Sequence, residues 1–281
     1  MLGWWAGSGK AYVLSPGGIW TKNIVAVNGG PLAMNNAATI IGIGSPSNHA
    51  FYKLWEQPAV QIGGNGTGAS AINTAGYIAG ATPDFGPTEL YLEDPNDSFV
   101  HVAFPNGGVG ISGTMGLNNL NQIVGSWHND STPWSGFFYD GKSKQLNTTF
   151  NMPNAITTYP VSINDNQEVV GNWVDANNVY HGFYWNPKAG FSDIDVAGDT
   201  LMYLFGINNQ SVILGAWLDD NTPMLVHYVT IVNGQPTASI RVPQSKTGST
   251  VAAAINNVGQ VVGEYQTQAG VWRGFIYTPP K

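Results

Sequence analysis

Ile255-Asn256-Asn257-Val258-Gly259-Gln260-Val261-Val262-Gly263 is the clearest copy of a segment that the chain repeats six times. Each copy has a small residue, an aliphatic residue and Asn, then a short turn and an aliphatic run that ends in Gly. The repeated residues are Asn35, Asn73, Asn118, Asn164, Asn208 and Asn256, with Gly42, Gly80, Gly125, Gly171, Gly215 and Gly263. Successive Asn residues are 38, 45, 46, 44 and 48 positions apart, which indicates an array of one supersecondary unit.

Each repeat contains further segments with the character of strands. The aliphatic run leads through a polar loop to an aromatic segment such as Gly136-Phe137-Phe138-Tyr139, and this order predicts a hairpin. An alternating segment such as Ser239-Ile240-Arg241-Val242-Pro243 forms the fourth part. We name the four predicted strands a (ending in the Asn), b (the run through the Gly), c (aromatic) and d (alternating). Four short strands in about 45 residues is the size of one propeller blade.

The sequence therefore predicts a single all-β domain over residues 1–281, a β-propeller of about seven four-stranded blades. Seven b–c hairpins occur, but only six a strands and six d strands, so the terminal blades are predicted to be incomplete. Six blades with an extra terminal hairpin is the alternative. Strand a carries the smallest side chains and is expected to be innermost. Unfinished blades expose strand edges, so we expect a monomer or a weak oligomer that forms through those edges.

Composition excludes several classes of partner and chemistry. Charged residues make up 10% of the chain and its net charge is −7, which argues against a nucleic-acid partner because phosphate binding needs clustered Lys and Arg. Cysteine is absent, so there are no disulfides and no Cys-ligated zinc. No stretch approaches the roughly 20 apolar residues that span a bilayer. We expect no cofactor, no metal, and a secreted or cell-surface protein whose export signal is not part of this sequence.

The repeat also resembles the HAF-type extracellular repeat proteins, named for a His-Ala-Phe motif. His49-Ala50-Phe51 and His181-Gly182-Phe183 stand where that motif falls, and residues 255–263 nearly complete the Ile-Asn-x-x-Gly-x-Val-Val-Gly signature. The positions that depart from the motif are Ser135, Leu225 and Arg273 in place of His, and Thr88-Glu89-Leu90. The resemblance spans essentially the whole chain and implies a secreted or surface-associated β-propeller-like body. It implies no active site.

The repeated polar residues are expected to be structural. An Asn at a strand end tolerates left-handed backbone and hydrogen-bonds its own turn. The Gly of strand b is expected to allow close packing between blades. Because His49 and His181 belong to the repeat, they are predicted to be hydrogen-bonded spacers rather than bases or metal ligands.

The predicted topology places a candidate site where strand b ends and strand a begins. If strand a runs from top to bottom, the Asn turns lie at the bottom and the b–c and d–a loops open at the top. The upper positions are aromatic and acidic. The predicted ligand-binding residues are Trp5, Trp127, Trp173, Trp217 and Tyr265 at the ends of b, Met115, Tyr159, Met202 and Tyr203 at the starts of a, and Asp130, Asp175 and Asp219 in loops.

Two functions fit these residues. The leading interpretation is a non-catalytic binding propeller for a carbohydrate or another small neutral polar ligand, in which repeated sites give avidity. A purely structural interpretation has each Trp bury about 150–250 Å² between blades. The alternative function is an enzyme whose aromatic, Met-lined pocket promotes a cyclisation, rearrangement or lyase-type reaction on a small apolar substrate without a metal. Its candidate catalytic residues are His101, Tyr159, Tyr203 and Asp195.

Overall fold

The computed structural model describes residues 2–5, 10–14, 20–22, 28–45, 49–53, 58–64, 66–82, 88–105, 110–112, 115–194, 201–218 and 226–279. These residues form seven antiparallel sheets, and none of them lies in an α-helix. Accordingly, this described part of the chain holds no helix that is long and apolar enough to cross a membrane. The all-β prediction is confirmed.

The chain divides into two compact units. Unit 1 comprises Met1–Thr132 and Phe138–Thr148, and unit 2 comprises Pro133–Phe137 and Thr149–Lys281. The single domain over residues 1–281 stays a prediction.

Four sheets are formed by the strands up to residue 147. Those strands are β1 (Leu2–Trp5), β2 (Lys10–Leu14), β3 (Trp20–Lys22), β4 (Asn28–Met34), β5 (Ile40–Ser45), β6 (His49–Lys53), β7 (Val60–Ile62), β8 (Gly68–Ile72), β9 (Ile78–Thr82), β10 (Glu89–Glu93), β11 (Phe99–Ala103), β12 (Gly110–Ile111), β13 (Gly116–Leu117), β14 (Gln122–His128), β15 (Ser135–Asp140) and β16 (Gln145–Asn147). The sheet orders are β1-β2-β3, β4-β5-β6-β7, β8-β9-β10-β11 and β12-β14-β15-β16, with β13 beside β14.

Three more sheets lie in unit 2. Their strands are β17 (Thr157–Ile163), β18 (Val169–Val174), β19 (Tyr180–Asn186), β20 (Gly190–Ile194), β21 (Met202–Ile207), β22 (Ile213–Leu218), β23 (Val226–Val232), β24 (Gln235–Pro236), β25 (Val251–Ile255), β26 (Val261–Gln266) and β27 (Trp272–Tyr277). The orders are β17-β18-β19-β20, β21-β22-β23-β24 and β25-β26-β27. Each sheet of four or more strands runs a, b, c, d across its width. In the sheet of β21 to β24 the fourth strand is Gln235–Pro236, so the predicted strand d over residues 239–243 is wrong, because those residues form no strand. The first and last described sheets have three strands each, and the number of blades stays a prediction.

The repeated Gly of strand b lies opposite a β-bulge in strand a. In unit 2, Gly171 pairs with Pro160 at the point where the register of β17 shifts. A Cβ on Gly171 would overlap the carbonyl oxygen of Tyr159 and would lie 2.6 Å from a ring carbon of Phe183. Gly80 and Gly263 face the same combination of a strand a carbonyl and a strand c ring. The predicted packing between blades is therefore wrong for these glycines, because the close approach is within one sheet.

The Asn that follows strand a uses both ends of its amide. The Oδ1 of Asn164 accepts hydrogen bonds from the backbone N–H groups of Asn166 and Glu168, at 3.0 and 2.9 Å. The predicted turn role is confirmed. The Nδ2 of Asn164 also donates to the carbonyl oxygen of Asn208, in the next repeat, at 2.9 Å.

The same bond between repeats recurs in both units. We call these residues the Asn ladder: Asn35, Asn73 and Asn118 in unit 1, and Asn164, Asn208 and Asn256 in unit 2. The Nδ2 of Asn35 donates to the carbonyl of Asn73, and Asn73 donates to Asn118, both at 3.1 Å. Four members of the ladder therefore close their own turn and also bond the next sheet: Asn35, Asn73, Asn164 and Asn208.

Candidate functional site

In unit 2, the end of strand b lies beside the start of strand c, and the side chains there form one layer. The register pairs Trp173 with His181 and, one sheet further along the chain, Trp217 with His227. A polar residue that follows strand c completes each set, Asp193 on β20 and Ser239 in the segment after β24. We call this layer the aromatic tier: Trp173, His181 and Asp193, together with Trp217, His227 and Ser239.

Trp173 is held at one ring face and at its polar edge. Its indole stacks on the His181 imidazole with ring centroids 4.5 Å apart, and its Nε1 donates to Asp193 Oδ1 at 2.8 Å. His181 Nε2 also lies 3.7 Å from Asp175 Oδ2. A hydrogen bond from the Val179 amide, with smaller contributions from Asn177 and His181, lowers the pKa of Asp175. The result is a half-buried indole and imidazole with an ionised carboxylate beside them.

Trp217 repeats this arrangement. Its indole stacks on His227 with centroids 5.2 Å apart and an angle of 13° between the rings. The His227 Nδ1 lies 3.1 Å from Ser239 Oγ. Behind the indole lies a buried cluster that includes Met202 and Leu204. Two consecutive sheets thus present the same planar, polar-edged pair at the same register position.

The structure corrects the alignment of the His motif in this sheet. The sequence places Leu225 at the His position, but the β22–β23 register pairs Trp217 with His227. Leu225 itself lies outside the described residues. Val229 takes the place of the motif's Phe opposite Gly215, so the copy was not recognisable from its residues.

Trp127, in unit 1, lies in a different environment. It is 9% exposed, its Nε1 donates to the carbonyl of Thr148 at 3.0 Å, and Phe104 stacks on it at 5.2 Å. Trp127 is therefore buried, with a ring face against Phe104 and its polar edge bonded to the backbone. Asp130 is exposed in the loop that follows.

Three predicted site residues lack a described side chain or position. The strand that holds Trp5 is described but its side chain is not, and Asp195 and Asp219 lie outside the described residues. Tyr265 is half-buried and is paired in register with Arg273, so no imidazole is opposite it.

The residues at the start of strand a separate into core and surface. Met115 and Met202 are buried, Met202 with 2% exposure, so neither offers a free face. Tyr159 and Tyr203 are half-buried, and burial raises the pKa of both phenols. They are therefore protonated at neutral pH and act as hydrogen-bond donors rather than as bases.

Tyr159 and Tyr203 each contact a further aromatic ring, and the sequence did not predict these contacts. Tyr180, at the start of β19, packs against Tyr203 with centroids 5.4 Å apart. Trp134 packs against Tyr159 at 6.2 Å. Tyr180 pairs in register with Val174 and directly precedes the His181 motif. Neither feature identifies it as a site residue from sequence, and only its contact with Tyr203 of the next sheet does so.

His101 lies away from the aromatic tier, on β11 at the edge of its sheet. Its Nδ1 is 3.3 Å from Glu89 Oε2, and half of its side chain is exposed. Among the described residues, no group of three or more His, Cys, Asp and Glu side chains is placed to hold a metal ion.

Glu93 is a buried acid of unit 1. It is 3% exposed, and its Oε2 has no hydrogen-bond partner within the described part of the chain. Burial, reinforced by the negative charges of Asp97 and Asp94, raises the pKa of Glu93 to about 7. The folded state therefore favours a protonated carboxyl group at this position.

We expect the free energy of unfolding to fall as the pH rises from about 4.5 to about 7, because the folded state then holds a proton that the unfolded chain releases. The fall attributable to Glu93 is about 2 to 3 kcal/mol. Glu93→Gln is expected to remove it. Urea unfolding at about pH 5 and about pH 8 measures the change. The exposed Glu264 provides the control, since Glu264→Gln is expected to change stability by less than about 0.5 kcal/mol. An unchanged pH slope in Glu93→Gln would contradict the assignment.

Comparison with known proteins identifies a fold and no family. No protein-family model matches the chain, and no curated protein matches it either. A solved streptogramin B lyase is similar over 96% of this chain and 87% of its own, with a TM-score of 0.61 and 12% identity. The β-propeller domain of the trilobed protease from Pyrococcus furiosus is similar over 95% and 83%, with a TM-score of 0.63 and 10% identity.

A third solved structure is a catalytically inactive His-to-Ala variant of virginiamycin B lyase from Staphylococcus aureus, with quinupristin. It is similar over 95% of this chain and 87% of its own, with a TM-score of 0.56 and 10% identity. Likeness at such identities establishes the fold alone. The chain has a β-propeller fold, as the repeat predicted.

Proposed function

We propose that this protein is a non-catalytic ligand-binding propeller that recognises a carbohydrate or a similar polar ligand through the aromatic tier. The observation that supports the proposal is the repetition of one stacked indole–imidazole pair in two consecutive sheets of unit 2. Each pair has a polar partner at its edge, Asp193 for Trp173 and Ser239 for His227. A sugar ring stacks its C–H face on such a surface while its hydroxyl groups bond the polar edge.

The partial burial of the tier also suits this role. Stacking on an imidazole orients each indole, and the hydrogen bond from Nε1 to Asp193 also orients Trp173. Ordering these rings therefore costs a ligand little entropy. Two equivalent pairs in one chain allow two modest contacts to act together on a ligand that reaches both.

The test is a glycan array, followed by calorimetry with any glycan that binds. Trp173→Ala is expected to weaken binding by about tenfold, because the stacking face is lost. Trp272→Ala is the matched control, since Trp272 is 47% exposed on β27 and lies outside the tier. Thermal melts confirm that both variants are folded. Equal binding by Trp173→Ala and the wild type, or an array without any bound glycan, would refute the proposal.

An enzyme is the second candidate function. The similarity to two lyases favours a lyase-type reaction over other enzyme classes. Half-buried aromatic rings and two imidazoles in unit 2 are compatible with an apolar substrate. Incubation with quinupristin, the compound present in one of those structures, tests this by mass spectrometry. Opening or cleavage of the compound that is lost in His181→Ala or His227→Ala would favour the enzyme.

The wider setting is also a proposal. We propose that the chain is a HAF-type repeat protein that acts outside the cell. The register supports the resemblance, because His227 raises the number of repeats with His at the start of strand c to three, alongside His49 and His181.

A further inference from the structure

A cavity of about 200 Å³ opens beside the second half of the aromatic tier, within unit 2. It lies between the start of β23 and the segment that connects this sheet to β25. Its polar lining consists of His227, Ser239, Arg241, Ser245, Thr247 and Thr250, and its apolar wall includes Ile240, Val242 and Pro243.

The hydroxyl groups of this cavity are organised by the protein itself. Thr250 Oγ1 donates to Ser245 Oγ at 3.2 Å, and Ser239 Oγ lies 3.1 Å from the His227 imidazole. The backbone N–H of Ile240 bonds the carbonyl of Tyr228 at 2.7 Å, which fixes the segment against β23. These hydrogen bonds within the protein therefore fix the cavity wall independently of a ligand.

Arg241 sets the charge preference of the cavity. The described residues that line the cavity include no Asp or Glu, and none of the described carboxylates forms an ion pair with Arg241. Its side chain is exposed to solvent. In a chain with net charge −7, a guanidinium that no described carboxylate pairs, beside four hydroxyl residues, favours an anionic group. A guanidinium matches a carboxylate in a two-point hydrogen-bonded pair.

The volume limits the ligand to about one ring. An engineered apolar cavity of about 150 Å³ holds a benzene molecule, so this cavity accommodates a single six-membered ring with its substituents. The mixture of hydroxyl groups, one cation and an apolar wall is the complement of a sugar acid.

We propose that this cavity binds the carboxylate-bearing ring of an acidic sugar, a hexuronate, and this inference rests on the carbohydrate-binding function proposed above. Arg241 pairs with the carboxylate. Ser239, Thr247 and Thr250 bond the ring hydroxyls, while Ile240 and Pro243 cover its C–H face.

The experiment compares methyl β-D-glucuronide with methyl β-D-glucoside by calorimetry. The wild type is expected to prefer the glucuronide by about tenfold or more, and Arg241→Gln is expected to abolish that preference. Lys188→Gln is the matched control, because Lys188 is an exposed cation of unit 2 outside the cavity. The preference is expected to weaken as salt is added.

Each outcome separates the two proposals. Equal affinity for both glycosides, with binding lost in Trp173→Ala, overturns the acidic-sugar site and leaves the binding function standing. A preference for the glucuronide that survives in Arg241→Gln also overturns the site. If neither glycoside nor any arrayed glycan binds, both proposals are wrong.

Discussion

Asn208→Asp is expected to lower the free energy of unfolding by about 4 kcal/mol at neutral pH. Asn208 is 3% exposed, and its Oδ1 accepts the N–H groups of Gln210 and Val212 at 3.0 and 2.9 Å. The substitution keeps this acceptor. It replaces the Nδ2 donor by an oxygen, which then faces the carbonyl of Asn256 across a contact of 3.0 Å. Urea unfolding measures the loss.

The pH dependence of this loss identifies its cause. Burial beside a carbonyl raises the pKa of the new carboxyl group. The folded variant therefore holds a proton that its unfolded chain releases, and its stability relative to the wild type recovers as the pH falls. A protonated carboxyl group again donates to the Asn256 carbonyl. A loss that did not change between about pH 8 and about pH 4 would contradict a role for the donated hydrogen bond.

Asn256→Asp provides a matched control at the end of the Asn ladder. Asn256 closes its turn in the same way, through the N–H groups of Val258 and Gln260. Its Nδ2 donates to the Gln260 side chain instead of a following repeat, and the residue is exposed. Water can solvate the new charge there, so we expect a loss below about 1 kcal/mol. Similar losses in the two variants would show that the bond between repeats contributes little.

The repeat predicted the Asn turns but not the hydrogen bonds that connect one repeat to the next. Because an Asn in every turn has a local explanation, the bonds to residues Asn166 and Glu168 followed from sequence. The bond from Asn164 to Asn208 spans 44 residues, and no local rule states which carbonyl a spare Nδ2 will meet. The β-bulge opposite Gly171 was equally invisible, since a bulge leaves no regular mark in the residue pattern.

The sequence predicted the positions of the candidate-site tryptophans in their sheets better than it predicted their solvent exposure. Strand counting placed Trp173 and Trp217 at equivalent positions, and the register agrees. It placed Trp127 at the same position but could not foresee that Phe104 and the Thr148 carbonyl enclose it. His227 was missed because the copy lacks the Phe of the motif. Exposure depends on the neighbouring segment, which varies between repeats even where the strand does not.

Gly171→Ala is expected to destabilise the protein by about 3 kcal/mol or more. The added Cβ would overlap the Tyr159 carbonyl oxygen and press on the Phe183 ring. That carbonyl belongs to the backbone at the bulge of β17, so it cannot move without disturbing the register with β18. The usual gain of about 0.5 to 1 kcal/mol from replacing a strand Gly by Ala is too small to compensate.

Gly206→Ala is the control that isolates this steric cause. Gly206 lies in β21 at the repeat position that Ala33, Ala71 and Ala254 occupy in other copies. Apart from its own chain neighbours, the nearest described atom that a Cβ there would meet is a methyl carbon of Ile255 at 3.7 Å, an ordinary van der Waals distance. We therefore expect its urea midpoint to stay within the range of a neutral substitution, or to rise slightly because the unfolded chain loses freedom. If Gly171→Ala is as stable as Gly206→Ala, the close approach of strand a is not what requires a glycine in strand b.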